Sequence, residues 1–260
     1  MDYCVIALLD ALGSGTAHKI EHPDVLVHRW DNFDNNVEWL LNEFKSQLGK
    51  KGYDKRVVKH GPYDNLQIAI PVTTKEKGLQ NMTSSGPLWW TIQSVGEIMI
   101  CLFRYGLSNA LYLRGCISAG KYYQTTKERI LGDAASEAAN LYEKAEWLGI
   151  VASPSAAMVL NSANAEHQAI FDIFVRHSIN SKDTSFTSDW VVNWANQSLD
   201  RNGIQNSLLN SLIEEKVKEA QNRLTELGRR CSNETCKLAA ASSVLMKWSN
   251  TLDFYNKMVG

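Results

Sequence analysis

The chain has 260 residues, enough for one large domain or for a medium domain with an appendage. Its 27 Lys and Arg against 28 Asp and Glu leave a net charge of −1, which argues against an electrostatic nucleic-acid binder but not against a local phosphate pocket. No apolar run approaches the ~20 residues needed to cross a bilayer, and the start, Met1-Asp2-Tyr3-Cys4-Val5-Ile6, reads as a strand rather than a signal peptide. An odd count of five cysteines fits free thiols, so the expectation is a cytoplasmic protein with no membrane span. Cys231 and Cys236 are the only close pair and no histidine follows His177, which disfavours zinc.

In chain order, Tyr3 to Leu9 is an apolar, β-branched run ending at Asp10, followed by the permissive Gly13-Ser14-Gly15. Phe33, Val37, Leu40, Leu41 and Phe44 recur at helical spacing, and Gly49 stops that helix. Arg56–Lys59 and Leu66–Ile70 read as two strands around a turn at Gly61-Pro62-Tyr63-Asp64, with Pro71 closing the second. A helix is predicted from Leu88 to Tyr105, a strand from Leu111 to Ala119, an alanine-rich helix from Asp133 to Leu148, and a short strand at Ile150-Val151-Ala152.

The order β-α-β-β-α-β predicts an α+β fold with helices on one face of a mostly antiparallel sheet. From about Asn161 strand character fades. Ile204–Leu227 carries a stripe of Leu208, Leu212, Ile213, Val217, Ala220, Leu224 and Leu227, and Thr235–Met258 is a last helical pattern. The expected organisation is one domain over residues 1–160 and a helical C-terminal extension over residues 161–260.

Two carboxylates stand out. Asp10 ends an apolar strand beside a glycine loop, where it can hold a hard cation while the Leu12, Gly13 and Ser14 amides face phosphate oxygens. Asp64 lies in the hairpin turn, which antiparallel pairing can bring beside the first strand's end. Either alone reads more readily as a turn or capping residue. Together, in this order, they match what two-metal phosphoryl transfer requires. Arg114 and Lys121 flank a central strand and could meet a triphosphate or be solvated charges. Asp133 could bond a base or cap its helix.

Four segments then resemble the class III nucleotide cyclases. Leu9-Asp10-Ala11-Leu12-Gly13-Ser14 resembles their first metal motif, and Lys59 to Ile70 their second metal hairpin. Leu113-Arg114-Gly115-Cys116-Ile117-Ser118-Ala119-Gly120 is similar to the Arg-x-Gly-Ile-His-x-Gly strand. Leu131-Gly132-Asp133-Ala134-Ala135-Ser136-Glu137-Ala138-Ala139-Asn140-Leu141 is similar to the segment opening the next helix. The resemblance implies a ferredoxin-like palm and a homodimer with shared active sites. It further implies two Mn2+ or Mg2+ ions held by Asp10, Asp64 and the carbonyl of Ala11.

The family's transition-state Asn and Arg fall on Ser136 and Asn140, so the implied catalytic set is Asp10, Asp64, Ser136 and Asn140. Its purine-selecting Lys falls on His60, beside Lys59, and Tyr63 precedes Asp64. With Leu12, Gly13, Ser14, Arg114, Lys121 and Asp133 these form the implied substrate-binding set. The compact Asp-Ala-Leu-Gly loop, the Leu-Arg-Gly-x-Ile-Ser strand and Lys247-Trp248 with Phe254-Tyr255-Asn256 resemble the stand-alone Pycsar pyrimidine cyclases of anti-phage defence. That implies UTP or CTP as substrate, cUMP or cCMP as product, and a downstream effector. The alternative is a catalytically silent cyclase-homology module. A palm-type polymerase relative would need a basic groove that the balanced charge does not provide.

Overall fold

The computed structural model describes residues 2–11, 22–50, 58–60, 65–72, 86–124, 130–163, 167–179, 189–230 and 235–259. The first half runs β1 (Asp2–Ala11), α1 (Pro23–Lys50), β2 (Val58–His60), β3 (Asn65–Val72), α2 (Gly86–Ser108) and β4 (Leu113–Gln124). β1 pairs antiparallel with both β3 and β4, and β2 pairs antiparallel with β3. The resulting order β2-β3-β1-β4 is the split βαβ arrangement of a ferredoxin-like palm, and strand pairing alone establishes it.

β1 sits mid-sheet, covered on both faces, which explains its continuous apolar run: Cys4 to Leu9 are all at most 4% exposed. Val5, Ala7 and Leu9 join Leu66, Ile68 and Ile70 in the large core under α1 and α2. Cys4 and Ile6 face the other way, with Ala69, Tyr122, Ala134 and Ala135. Pro71 lies inside β3 rather than ending it. β2 reaches only to Ala69, so at Pro71 no described outer strand needs a donor.

β5 (Ile130–Leu131) folds back on β4, and α3 (Asp133–Leu141) crosses the second face before β6 (Ile150–Ala152) joins β4 in parallel. α3 is shorter than the predicted helix to Leu148. Beyond Leu141 the chain leaves the helix and carries Trp147 edge-on to Phe254, while the Leu148 amide donates to Thr251 Oγ1 at 2.9 Å.

α4 (Pro154–Asn161) and α5 (Gln168–Ile173) lead into β7 (Phe174–Arg176) and β8 (Trp190–Val192), and β8 pairs with β6. The stretch after Asn161 is therefore not wholly helical: these three-residue strands are too short to show a period. α6 (Asn206–Arg230) and α7 (Thr235–Val259) form where the periodicity predicts helices, and they pack together. Within α6, Leu209 is fully buried and Leu208 is 49% exposed, so the buried stripe begins one residue later than its sequence pattern suggests. Among the described residues no helix is long and apolar enough to cross a membrane.

One buried cation ties α2 to the segment before α6. Arg104 is fully buried; its Nε donates to Asp200 Oδ2 at 3.0 Å, and Nη1 donates to the Trp194 carbonyl at 3.0 Å and Asn206 Oδ1 at 2.8 Å. Nη2 donates to the Ile204 carbonyl. Asp200 also accepts from the amides of Asn202 and Ile204.

Candidate active site at the end of the central strands

Strand alternation places Asp10 on the Cys4 and Ile6 face, the face that α3 covers. Its register partners are Asn65 on β3 and Arg114 on β4. Asp10 is only 7% exposed, and a carboxylate this buried requires a partner. Arg114 donates from Nε to Asp10 Oδ2 at 2.8 Å, and Nη2 lies 2.8 Å from the same oxygen. The guanidinium also lies over the Tyr142 ring, 5.2 Å from its centroid, and 4.0 Å from Glu143 Oε1. The Tyr142 hydroxyl donates to Glu143 Oε1 at 2.9 Å. Burial, then that bond and the charges of Asp10 and Glu143, push the Tyr142 pKa up to about 12.

Two glycines of the resembling motifs have steric reasons. A Cβ on Gly115 would come 2.5 Å from the Leu8 carbonyl oxygen and 2.6 Å from Leu9 Cδ2, so glycine lets β4 lie close enough to β1 to set Arg114 opposite Asp10. Gly132 has φ +129° and lies against the Lys121 carbonyl, which turns the chain from β5 into α3.

The other sequence-selected residues divide by position. Ala11 is buried at the end of β1, next to Asp10. Asp133, Ser136 and Asn140 are exposed along α3. Lys121 is exposed and pairs with Tyr3, seven residues along β1 from Asp10 and on the opposite sheet face, roughly 23 Å away at strand rise. Arg114 and Lys121 are thus not brought together. Lys59 and His60 lie on β2, opposite Ile68 and Gln67 in register. Leu12, Gly13, Ser14, Tyr63 and Asp64 lie outside the described residues; Asp64 immediately precedes Asn65, the register partner of Asp10.

A second polar cluster escaped sequence reasoning. Glu137 on α3 accepts from the hydroxyls of Ser118 at 2.5 Å, Ser153 at 2.8 Å and Ser155, and from the Ser155 amide at 3.2 Å. Ser153 also caps α4 by accepting from the Ala156 amide. The cluster pins α3 to β4 and to the start of α4. Its only sequence signals are a serine in an apolar strand and two serines flanking a helix-opening proline. Burial would raise the Glu137 pKa, but the three hydroxyls and the amide outweigh it and hold it below 4.5.

His177 packs against Trp147 and Phe254; burial, then the Lys257 charge, lower its pKa below 6.5, against a smaller opposing effect of Asp253. Both groups bind protons more readily when unfolded, so stability is fullest above pH 6.5 and falls as pH drops. The expected urea midpoint declines first below pH 6.5 and again below pH 4.5. His177→Phe should flatten the upper step and Glu137→Gln the lower. A midpoint that stays level from pH 7 to pH 4 would contradict both assignments.

The Asp10 carboxylate and the adjoining Ala11 carbonyl are hard oxygens, the kind that suits Mg2+ or Mn2+, and Asp10 pairs with the Arg114 guanidinium. Among the described residues no three His, Cys, Asp or Glu side chains gather as a metal cluster.

No known family profile matches the chain, and no curated protein does. Solved structures that it resembles include guanylyl and adenylyl cyclase domains. One is the monomeric guanylyl cyclase domain of the RhoGC fusion protein from the aquatic fungus Blastocladiella emersonii. It is 9% identical with a TM-score of 0.48, over 73% of this chain and 94% of that one. Another is the guanylate cyclase domain of RhGC from Catenaria anguillulae in complex with GTP (8%, TM-score 0.47, 74% and 96%). A third is a bacterial light-regulated adenylyl cyclase (13%, TM-score 0.42, 82% and 97%).

Proposed function

We propose that the protein is a cytoplasmic nucleotide cyclase that converts a pyrimidine nucleoside triphosphate, UTP or CTP, to the 3′,5′-cyclic mononucleotide and pyrophosphate. The observation that carries this reading is the buried Asp10, held on the α3 face opposite Arg114, with Asp64 one residue before its other register neighbour. The ribose 3′ oxygen attacks the α-phosphorus, the bond to the bridging oxygen breaks, and pyrophosphate leaves with its electron pair. The 3′ proton passes to water. Two Mg2+ or Mn2+ ions, when bound, supply Lewis-acid activation and neutralise phosphate charge. Asp10, Asp64 and the Ala11 carbonyl hold that charge in place, and Arg114 faces the triphosphate. Ser136 and Asn140 offer only short polar groups where the resembling enzymes use an amide and a guanidinium, and with His60 and Tyr63 they motivate the pyrimidine assignment.

Asp133 starts α3 at the Lys121 end of β4, away from Asp10. Such a split site suits a homodimer in which each active site joins the Asp10 end of one protomer to α3 of the other. The cyclic product then serves as an anti-phage signal read by a separate effector. Incubation with each of the four triphosphates and Mn2+, followed by identification of products, tests the activity. Cyclic pyrimidine nucleotide with pyrophosphate is expected. Nucleotide binding without turnover would instead make the protein a silent module, which the short side chains of Ser136 and Asn140 would explain.

The shared site has its own check. Asp10→Ala and an Asp133→Ala/Ser136→Ala double variant should each be inactive alone. Mixed equally, half the dimers carry one intact site, restoring about a quarter of parent activity. A mixture as silent as its parts would show that the sites are not shared.

A further inference from the structure

Asp10 already holds a cation. Both Arg114 contacts, at 2.8 Å, converge on Oδ2 rather than spreading over two oxygens as a parallel fork does. The same guanidinium lies 5.2 Å above the Tyr142 ring and 4.0 Å from the Glu143 carboxylate, whose side chain is 62% exposed. An aromatic face with a neighbouring carboxylate is a second resting place for a guanidinium. Arg114 therefore has an acidic partner on either side, and of the two only Asp10 is a metal ligand in the cyclase reading.

We propose that Arg114 is the resident counter-ion of Asp10 and exchanges with the divalent metal. Without nucleotide the guanidinium occupies the carboxylate and weakens metal binding. A triphosphate supplies Arg114 with another anion, and the Tyr142–Glu143 corner holds it on the way. Metal and nucleotide then bind with positive coupling, because each is favoured by the state in which the Arg114–Asp10 pair is open. The inference rests on the cyclase reading, in which Asp10 is a metal ligand. It adds that the metal half of the site is closed at rest by the protein's own charge, so that free metal alone does not assemble it.

The test is Mn2+ binding to the full chain, followed by the loss of the free-ion electron paramagnetic resonance signal with and without a non-cyclisable pyrimidine triphosphate, after subtracting the Mn2+ that the triphosphate binds in a protein-free titration. In the parent protein the triphosphate should tighten Mn2+ binding by about fivefold or more. Arg114→Gln should bind Mn2+ alone at least about fivefold more tightly than the parent, with coupling to the nucleotide largely lost. Arg114→Lys keeps a charge without the paired nitrogens, and should fall between the two. If Arg114→Gln is unfolded by circular dichroism, the Lys variant and the parent's own coupling carry the test. Equal or weaker Mn2+ binding in the folded Arg114 variants, or no coupling in the parent, would overturn the exchange. Failure of the cyclase reading is distinguishable, because it appears as absence of cyclic product from the same parent preparation.

Discussion

Asp10→Asn is expected to retain the fold and lose pyrophosphate release by about a thousandfold or more. The side chain sits at the end of a strand locked on both sides, by Asn65 in β3 and by Arg114 in β4, so the replacement has no room to reposition. An asparagine oxygen can still accept from the Arg114 guanidinium, which limits the structural loss. It cannot supply the negative charge that draws a divalent ion to this spot. Asp10→Ala separates the two roles: it should be equally inactive but also less stable by about 1–3 kcal/mol, because Arg114, 13% exposed at its side chain, loses its hydrogen-bonded carboxylate and keeps only the more distant Glu143. Activity and thermal unfolding measured on both variants decide the matter. Full turnover in either folded variant would remove Asp10 from the metal site.

Arg104→Met should be the most destabilising single change in the half of the core near α6. The guanidinium and the Asp200 carboxylate are both fully buried. Removing the cation leaves Asp200 charged without its main partner and strands the carbonyls of Trp194 and Ile204. Breaking such a pair costs about 3–5 kcal/mol. For a chain of this size that corresponds to a melting temperature roughly 6–20 °C lower. Arg104→Lys should recover only part of it, because one ammonium cannot reach four acceptors spread over the 194–206 segment. Melting within about 2 °C of the parent in the Met variant would mean that the ion pair contributes nothing net.

Local pattern carried most of the palm. The run from Tyr3 to Leu9 and the helical spacing from Phe33 to Phe44 are strong because both segments are long and buried. The pairings that complete the sheet were not legible: β8 meets β6 through one register pair, Val151↔Val191, and no periodicity exists within three residues. The same divide runs through the site. Asp10 announced itself as a carboxylate after an apolar strand. Its bond to Arg114 joins residues 104 positions apart and follows only from strand register. The Glu137 cluster draws on α3, β4 and the start of α4, and serines give no sequence sign of which carboxylate they will meet. Lys121 shows the cost of reading a strand without its pleat: an odd offset from Arg114 sends it to the other face.

The ladder between β1 and β4 runs without interruption from Asp2↔Tyr122 to Ala11↔Leu113. Backbone pairing, not side-chain packing, therefore sets Asp10 against Arg114, while the exposed positions of α3 stand apart from that ladder. The two are separable in design. Changes at Ser136 and Asn140 leave the carboxylate end as it is, whereas a single inserted or deleted residue within β1 would turn Asp10 to the opposite face and disable the protein at once. Tolerance to substitution thus lies on α3, and intolerance to a shift in length lies in β1 and β4.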